Sequence, residues 1–352
     1  MRRVGVLFGV IALLSGAAPA QQEIEDAAPA ETAAVARGPS PAVMAPKAAK
    51  NRLLDITTAG PRLVAVGQQG VILTSDDGTA WTQSPSPVST MLTRVHFTDA
   101  KAGWVLGYDA TILQTADGGA TWVLKHHDPK GRALYDLLFL DSNNGIAIGA
   151  YGTMLVTTDG GATWTARDDA LTGLGMHLNA LQKLADGTLF IAGERGLMAR
   201  STDAGATWSI LDSPYAGSLF GAMPHGDKGA LVYGMRGNVY AATDLASCPV
   251  VDPATWDPYA RETVADAEKI AALGWRKIES PVRESLFGAV PLASGGALLI
   301  GVNGTTLKLD AGAATITAVK TPAVETLAKG VRFGEHVFAV GRRGVEDLGA
   351  AP

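Results

Sequence analysis

The chain has 352 residues, a formal net charge of −5 from 29 Lys and Arg against 34 Asp and Glu, and a single cysteine. An acidic chain without a basic run argues against a nucleic-acid partner, and one cysteine leaves no internal disulfide, so packing must hold the fold together. Forty-two glycines, well above the usual share of ~7%, point to many tight turns.

In chain order, residues 1–20 come first. Arg2 and Arg3 precede the apolar run VGVLFGVIALLSG, and a small-residue APA pattern stands before Gln21. This reads as a secretory signal peptide cleaved near Ala20, too short to span a membrane as a helix, with an uncleaved N-terminal anchor as the alternative. The expectation is an exported protein, periplasmic (or lumenal or extracellular), with no transmembrane segment in the mature chain. Residues 21–50 are Ala- and Pro-rich with few large apolar side chains and read as a linker.

From residue 51 the chain repeats. Apolar strands ending in G-x-x-G lead into Asp-centred turns: VAVGQQGVILTSDDGTAW, WVLGYDATILQTADGGATW, IAIGAYGTMLVTTDGGATW and FIAGERGLMARSTDAGATW. Looser copies follow in LVYGMRGNVYAATD, LLIGVNGTTLKLDAG and VFAVGRRGVEDL. The leading glycines are Gly67, Gly107, Gly149, Gly193, Gly234, Gly301 and Gly341, and subtraction gives spacings of 40, 42, 44, 41, 67 and 40. Each unit reads as four short strands; in the second these are TRVHFT, GWVLG, TILQT and TWVLKH. Seven units of four antiparallel strands predict an all-β, seven-bladed β-propeller over 51–352. The last unit supplies only three strands, and Ala42–Lys50 is expected to add the fourth. The long spacing marks an insertion at about 246–273, with a short helix near Ala260–Leu273, Trp275 resuming the last strand of blade five, and Cys248 read as an inert thiol.

The turn consensus is [ST]-x-D-x-G-x-x-W. Its structural residues read as Asp76, Gly78 and Trp81; Asp117, Gly119 and Trp122; Asp159, Gly161 and Trp164; and Asp203, Gly205 and Trp208. The carboxylate can accept backbone N–H groups one to three residues on, glycine permits positive φ, and the indole buries a large ring. A calcium loop would need further oxygen ligands and a distal Glu that the pattern lacks. His126-His127-Asp128 is the only metal-like cluster and reads as a solvated loop. No metal, cofactor or catalytic residue is expected: no nucleophile–base motif stands out, and G-x-x-G here turns a hairpin rather than opening a helix under a phosphate.

The tips between second and third strands open on one side of such a fold. They carry Gln68, Gln69, Tyr108, Asp109, Tyr151, Glu194, Arg195, Met235, Arg236, Asn303, Arg342 and Arg343. Arg and Tyr are over-used at interfaces, so Tyr108, Tyr151, Arg195, Arg236, Arg342 and Arg343 are the candidate partner-binding residues. The plainer alternative is that hairpin tips are simply polar.

These turns resemble the Asp-box, or bacterial neuraminidase repeat, of sialidases, xyloglucanases, the sortilin propeller and the photosystem II assembly/stability factors. The joint pattern G-x-x-G…[ST]-x-D-G-G-x-T-W, over about residues 51–349, looks most like the last of these. That resemblance implies a non-enzymatic, exported or lumenal seven-bladed scaffold that binds a protein partner, membrane-associated, as a monomer. A sialidase would imply an arginine triad, six blades and an R-I-P element before the first turn; no such element stands here and the units number seven. The alternatives kept are a carbohydrate-active Asp-box enzyme or lectin, and an accessory subunit of a membrane exporter using the same face.

Overall fold

The computed structural model describes residues 39–352, so the expected signal peptide and residues 21–38 of the linker lie outside the described residues. The strands form seven antiparallel sheets taken in chain order, beginning with Leu53–Ala59, Leu92–Phe97, Leu134–Phe139, Leu178–Lys183, Leu219–His225, Leu286–Pro291 and Leu327–Phe333. These are the seven blades, each with its first strand innermost. The leucine that opens each innermost strand is fully buried. Second strands such as Gly103–Gly107 and Leu189–Gly193 are buried at every residue, because both faces of a blade pack on its neighbours. They therefore read as continuous apolar runs rather than as alternation. Outer strands such as Thr165–Ala166 are exposed.

The core lies between blades. Ile146 and Ile148 of blade three meet Leu189 and Ile191 of blade four, and the ring closes where Leu53, Leu63 and Leu73 of blade one meet Phe338 and Val340 of blade seven. Among the described residues, no helix is long and apolar enough to cross a membrane.

Two expectations are corrected. Blade seven has three strands, and Ala42–Lys50 adds none. Pro41 and Pro46 remove two ladder donors within a short stretch, which disfavours pairing. The segment instead straps blade one to blade seven. The Ala42 N–H donates to Ser86 O at 3.0 Å, the Ala45 N–H to Gln83 Oε1 at 2.8 Å, and Gln83 Nε2 to Val43 O at 3.0 Å. A 3₁₀ turn, Ala48–Lys50, then buries Ala48 in the core between the two blades.

The insertion helix is shorter than expected, Ala267–Ala272, started by Asp266, whose carboxylate accepts the Lys269 N–H at 2.9 Å. Upstream, the Val264 N–H is bound to Pro214 O, so the chain there is tied to blade four rather than coiled. Val250–Val251 pairs as a fifth strand on blade four, Trp256 packs in the core beside blades three and four, and Ile270 and Trp275 pack between blades four and five. Arg276–Ile278 completes blade five. Cys248 is buried, and burial pushes its thiol up to about 11, away from reactive thiolate.

Candidate partner-binding face

One local device recurs in all seven blades. The leucine opening each innermost strand lies opposite the tip glycine, as in Leu53↔Gly67 and Leu92↔Gly107. The N–H after that glycine donates to the carbonyl just before the strand, for instance Gln68 to Arg52, Glu194 to His177 and Arg342 to Thr326, at 2.8–3.1 Å. A side chain at Gly67 would bring its Cβ to 2.3 Å from the Arg52 carbonyl, which is why the leading position of G-x-x-G is glycine.

Each innermost strand also carries a register shift right after its leucine. A bulge leaves one residue unpaired and re-aims its side chain. The residues so displaced are Leu54, Thr93, Tyr135, Asn179, Phe220, Phe287 and Ala328, one per blade. All seven line a single cavity of about 680 Å³ together with Arg52, Tyr108, His177, Lys329 and Arg342. The tips and this central mouth are therefore one face.

The structure brings Tyr108 and Arg342 into the mouth, and Arg342 lies 3.6 Å from Glu325. The other candidates stand around it. Tyr151, 60% exposed, sits edge-on to His177 at 4.6 Å with the Arg132 guanidinium 4.9 Å above its ring. Arg195 lies 4.3 Å over the ring of Tyr259, which joins the tip of blade four to the insertion. Arg236 is exposed, and Arg343 lines an adjoining hollow with Lys50, Arg342 and Glu346. Tyr151, Arg195 and Arg236 hold left-handed backbone, φ 53°, 52° and 56°, which disfavours any side chain by about 1–2 kcal/mol. Sequence reading missed Arg52, Tyr135, His177, Phe220, Phe287 and Lys329. Tyr135, Phe220 and Phe287 share one position, the residue after the strand-opening leucine, whereas Arg52 and His177 precede that leucine and Lys329 stands two after its own.

Below the mouth lies a buried girdle, built from the next strand position. Arg94 of blade two pairs with Asp136 of blade three (Nε–Oδ1 2.8 Å) and Asp55 of blade one (Nη1–Oδ2 3.2 Å). Asp55 accepts the Val95 N–H at 2.8 Å, and Asp136 accepts those of Leu137 and Leu181, each at 2.9 Å. The girdle thus ties blades one to four. Burial raises the Asp55 pKa, with Arg94 opposing. Burial works against the Arg94 charge too, but Asp136 and Asp55 outweigh it and push its pKa up. Burial, then Arg94, takes His96 down to about 4 and lowers Lys329.

The Asp-boxes lie at the other end of the strands, in the hairpins between third and fourth strands. In blade two, Thr115 Oγ1 donates to Asp117 Oδ1 at 2.7 Å, the Gly119 N–H donates to Thr115 Oγ1 at 3.1 Å, and the Thr121 N–H donates to Asp117 Oδ1 at 2.9 Å. Asp159 and Asp203 repeat this with Thr163 and Thr207. Donation from the Thr hydroxyl and backbone holds all three carboxylates at about 2. Trp122 and Trp164 are buried, Trp81 and Trp208 half-buried. The first box is corrected by one residue. Its aspartate is Asp77, not Asp76: Asp77 accepts the Thr79 and Ala80 N–H groups at 2.8 Å each, whereas Asp76 pairs with Arg62 at 2.7 Å. This unit is one residue shorter, so counting back from Trp81 misplaces the carboxylate. The loop histidine His127 has its Nδ1 3.1 Å from Thr111 Oγ1.

The family model described as photosynthesis system II assembly factor YCF48 matches residues 73–133 and 125–271. The chain belongs to this family. A curated relative, the chloroplastic photosystem II stability/assembly factor HCF136 of Guillardia theta, is 47% identical over 47 residues. That stretch spans 13% of this chain and only 12% of the relative. Among solved structures, YCF48 bound to D1 peptide superposes with a TM-score of 0.62 at 16% identity, covering 88% of this chain and 96% of that one. YCF48 from Cyanidioschyzon merolae gives 0.61 at 16%, covering 84% and 94%. Virginiamycin B lyase from Staphylococcus aureus gives 0.68 at 11%, covering 89% and 99%. At such identities the structural likeness establishes the propeller fold and no more.

Proposed function

We propose that this chain is a non-enzymatic scaffold that binds a protein partner, a membrane protein or complex, through the face formed by the tips and the mouth. One observation carries the reading. The mouth is lined by Arg52, Lys329, Arg342 and three aromatic residues of the bulged positions, with no carboxylate among its lining residues, in a chain of net charge −5. A cationic, aromatic concavity on an acidic protein is the composition of an interface core rather than of a solvated surface. Membership of the YCF48 family and the peptide bound to a solved YCF48 support it.

The carbohydrate-active alternative has less to draw on. Glycoside hydrolysis needs two carboxylates facing a substrate. Two carboxylates of the innermost strands, Asp55 and Asp136, have their oxygens engaged by Arg94 and backbone N–H groups. The exporter-subunit alternative uses the same face and differs only in partner. Export to the periplasm after cleavage near Ala20, and a monomeric state, complete the proposal; a mature protein starting elsewhere than Gln21, or eluting as a dimer, would amend it.

The test is affinity capture from detergent-solubilised envelope with wild type and with Arg195→Ala/Arg236→Ala/Arg342→Ala. The reading expects one membrane protein held by wild type and lost by the variant, with the melting temperature unchanged. Equal capture by both would reject this face as the site.

A further inference from the structure

The mouth is not uniform around its ring. Leu54, Phe220, Phe287 and Ala328, displaced by the bulges of blades one, five, six and seven, form an apolar wall. The rings of Phe220 and Phe287 lie 5.1 Å apart at 49° and stay only half-buried. The opposite wall, from blades two to four, is polar: Thr93, Tyr135 and Asn179. Arg52 and Arg342 stand at the rim, and Lys329 at the base of the apolar side.

Folding does not explain this asymmetry. The bulge is dictated by the leucine–glycine pairing in every blade and would accept any side chain, as Ala328 and Asn179 show. Two half-exposed phenylalanines facing water lose apolar stabilisation that burial elsewhere would supply, on the order of 1.5–3 kcal/mol for a fully buried side chain. Large apolar side chains gathered in a concavity with convergent polar groups describe a binding pocket.

We infer that the mouth is a socket for one bulky apolar side chain of a partner segment, phenylalanine, tyrosine, tryptophan or leucine, with a carboxylate within two residues of it. The apolar wall takes the side chain, and Arg52 with Lys329 takes the carboxylate as a charge-assisted partner. A volume of about 680 Å³ admits a side chain with its flanking backbone. The pairing of an apolar wall with Arg52 and Lys329 points to an acidic, apolar-bearing segment as the occupant, and a glycan is left as an outcome of the test. The inference rests on the docking-face reading above and deepens it: the tips would set affinity over a broad area, and the socket would choose the sequence.

The experiment selects ten-residue peptides from a random display library against the purified full-length protein. Enrichment of an aromatic or leucine with Asp or Glu within two positions is expected. The best such peptide, synthesised with an amidated C-terminus, is then titrated by fluorescence anisotropy. Phe220→Ser/Phe287→Ser and Arg52→Gln should each weaken it about tenfold or more. Should the double serine variant fail to fold, Ala328→Glu decides, since it puts a carboxylate into the socket and leaves both phenylalanines in place; it too should weaken binding about tenfold. Basic or motif-free selections, no selection at all, binding unchanged in the folded variants, or capture of a carboxylated glycan in competition with the peptide would each overturn the inference. The two readings fail separately. A membrane partner lost on the tip triple variant but kept by Phe220→Ser/Phe287→Ser leaves the docking face intact and removes the socket.

Discussion

Replacing Arg94 by leucine strips the girdle of its central cation while leaving the carboxylates in place. Asp55 and Asp136 have side chains only 1% and 7% exposed. Each keeps backbone donors, from Val95 and from Leu181, so neither carboxylate is wholly unpaired. Removing one partner of a buried ion pair costs roughly 3–5 kcal/mol. Arg94 is itself 24% exposed, so solvent screening moves the expectation to the low end, about 3 kcal/mol. That is a large share of the ~5–15 kcal/mol that holds a typical domain, and it should lower the melting temperature by roughly 5 °C or more. The pH dependence has a definite sign. Burial already raises the Asp55 pKa against the pull of Arg94, and without Arg94 it rises further. A carboxyl whose folded pKa lies above its unfolded value near ~3.9 costs nothing below that pH, and the cost grows as pH rises through the folded value. Urea denaturation followed by tryptophan fluorescence at pH 7 and pH 4.5 should therefore show a wider gap between variant and wild type at pH 7. A cost under about 0.5 kcal/mol, or a gap that widens in acid, would refute the reasoning.

Further outcomes follow from the turns and the strap. Trp164→Ala removes a buried ring that meets Phe139 edge-on at 6.0 Å and should cost about 3–5 kcal/mol by urea denaturation. Asp77→Ala should lower the melting temperature more than Asp76→Ala, since only Asp77 accepts the turn's N–H groups; the reverse order would restore the register read from Trp81. Asp77, Asp117, Asp159 and Asp203 are held at about 2, below the unfolded value, so their contribution is present above about pH 4 and lost as pH falls toward 2. Asp117→Asn/Asp159→Asn/Asp203→Asn should accordingly flatten the acid-unfolding transition in that window. Deleting residues 40–50 removes Ala48 from the core joining blades one and seven and should lower the melting temperature of the whole ring; an unchanged value would mean that blade packing alone closes it.

Much of this architecture was legible because the repeat is carried by residues with hard local requirements. The leading glycine of each tip has no room for a Cβ, the turn aspartate must satisfy several N–H groups at once, and the second strands are apolar throughout because both faces are covered. What was not legible depends on register. The first Asp-box lacks one residue, and only its hydrogen bonds show that Asp77 replaces Asp76. Two prolines turned the expected closing strand into a strap. The mouth went unread because its members are chemically unlike one another, from Ala328 to Phe287; what they share is a bulge, and a bulge shows in pairing rather than in residue type. Tyr108 and Arg342 were found from the tips, whereas Arg52 precedes the first innermost strand and carries no tip signature.

The central claim is that the tip-and-mouth face, and not the Asp-box rim, meets the partner. Site-specific photo-cross-linking in cells tests it most directly, with benzoylphenylalanine placed singly at the exposed positions Tyr108, Tyr151 and Met235 on the face and at Val123 on the outer strand of blade two. The account predicts the same cross-linked membrane protein from the three face positions and none from Val123. A partner captured from Val123 but from none of the three face positions would contradict it.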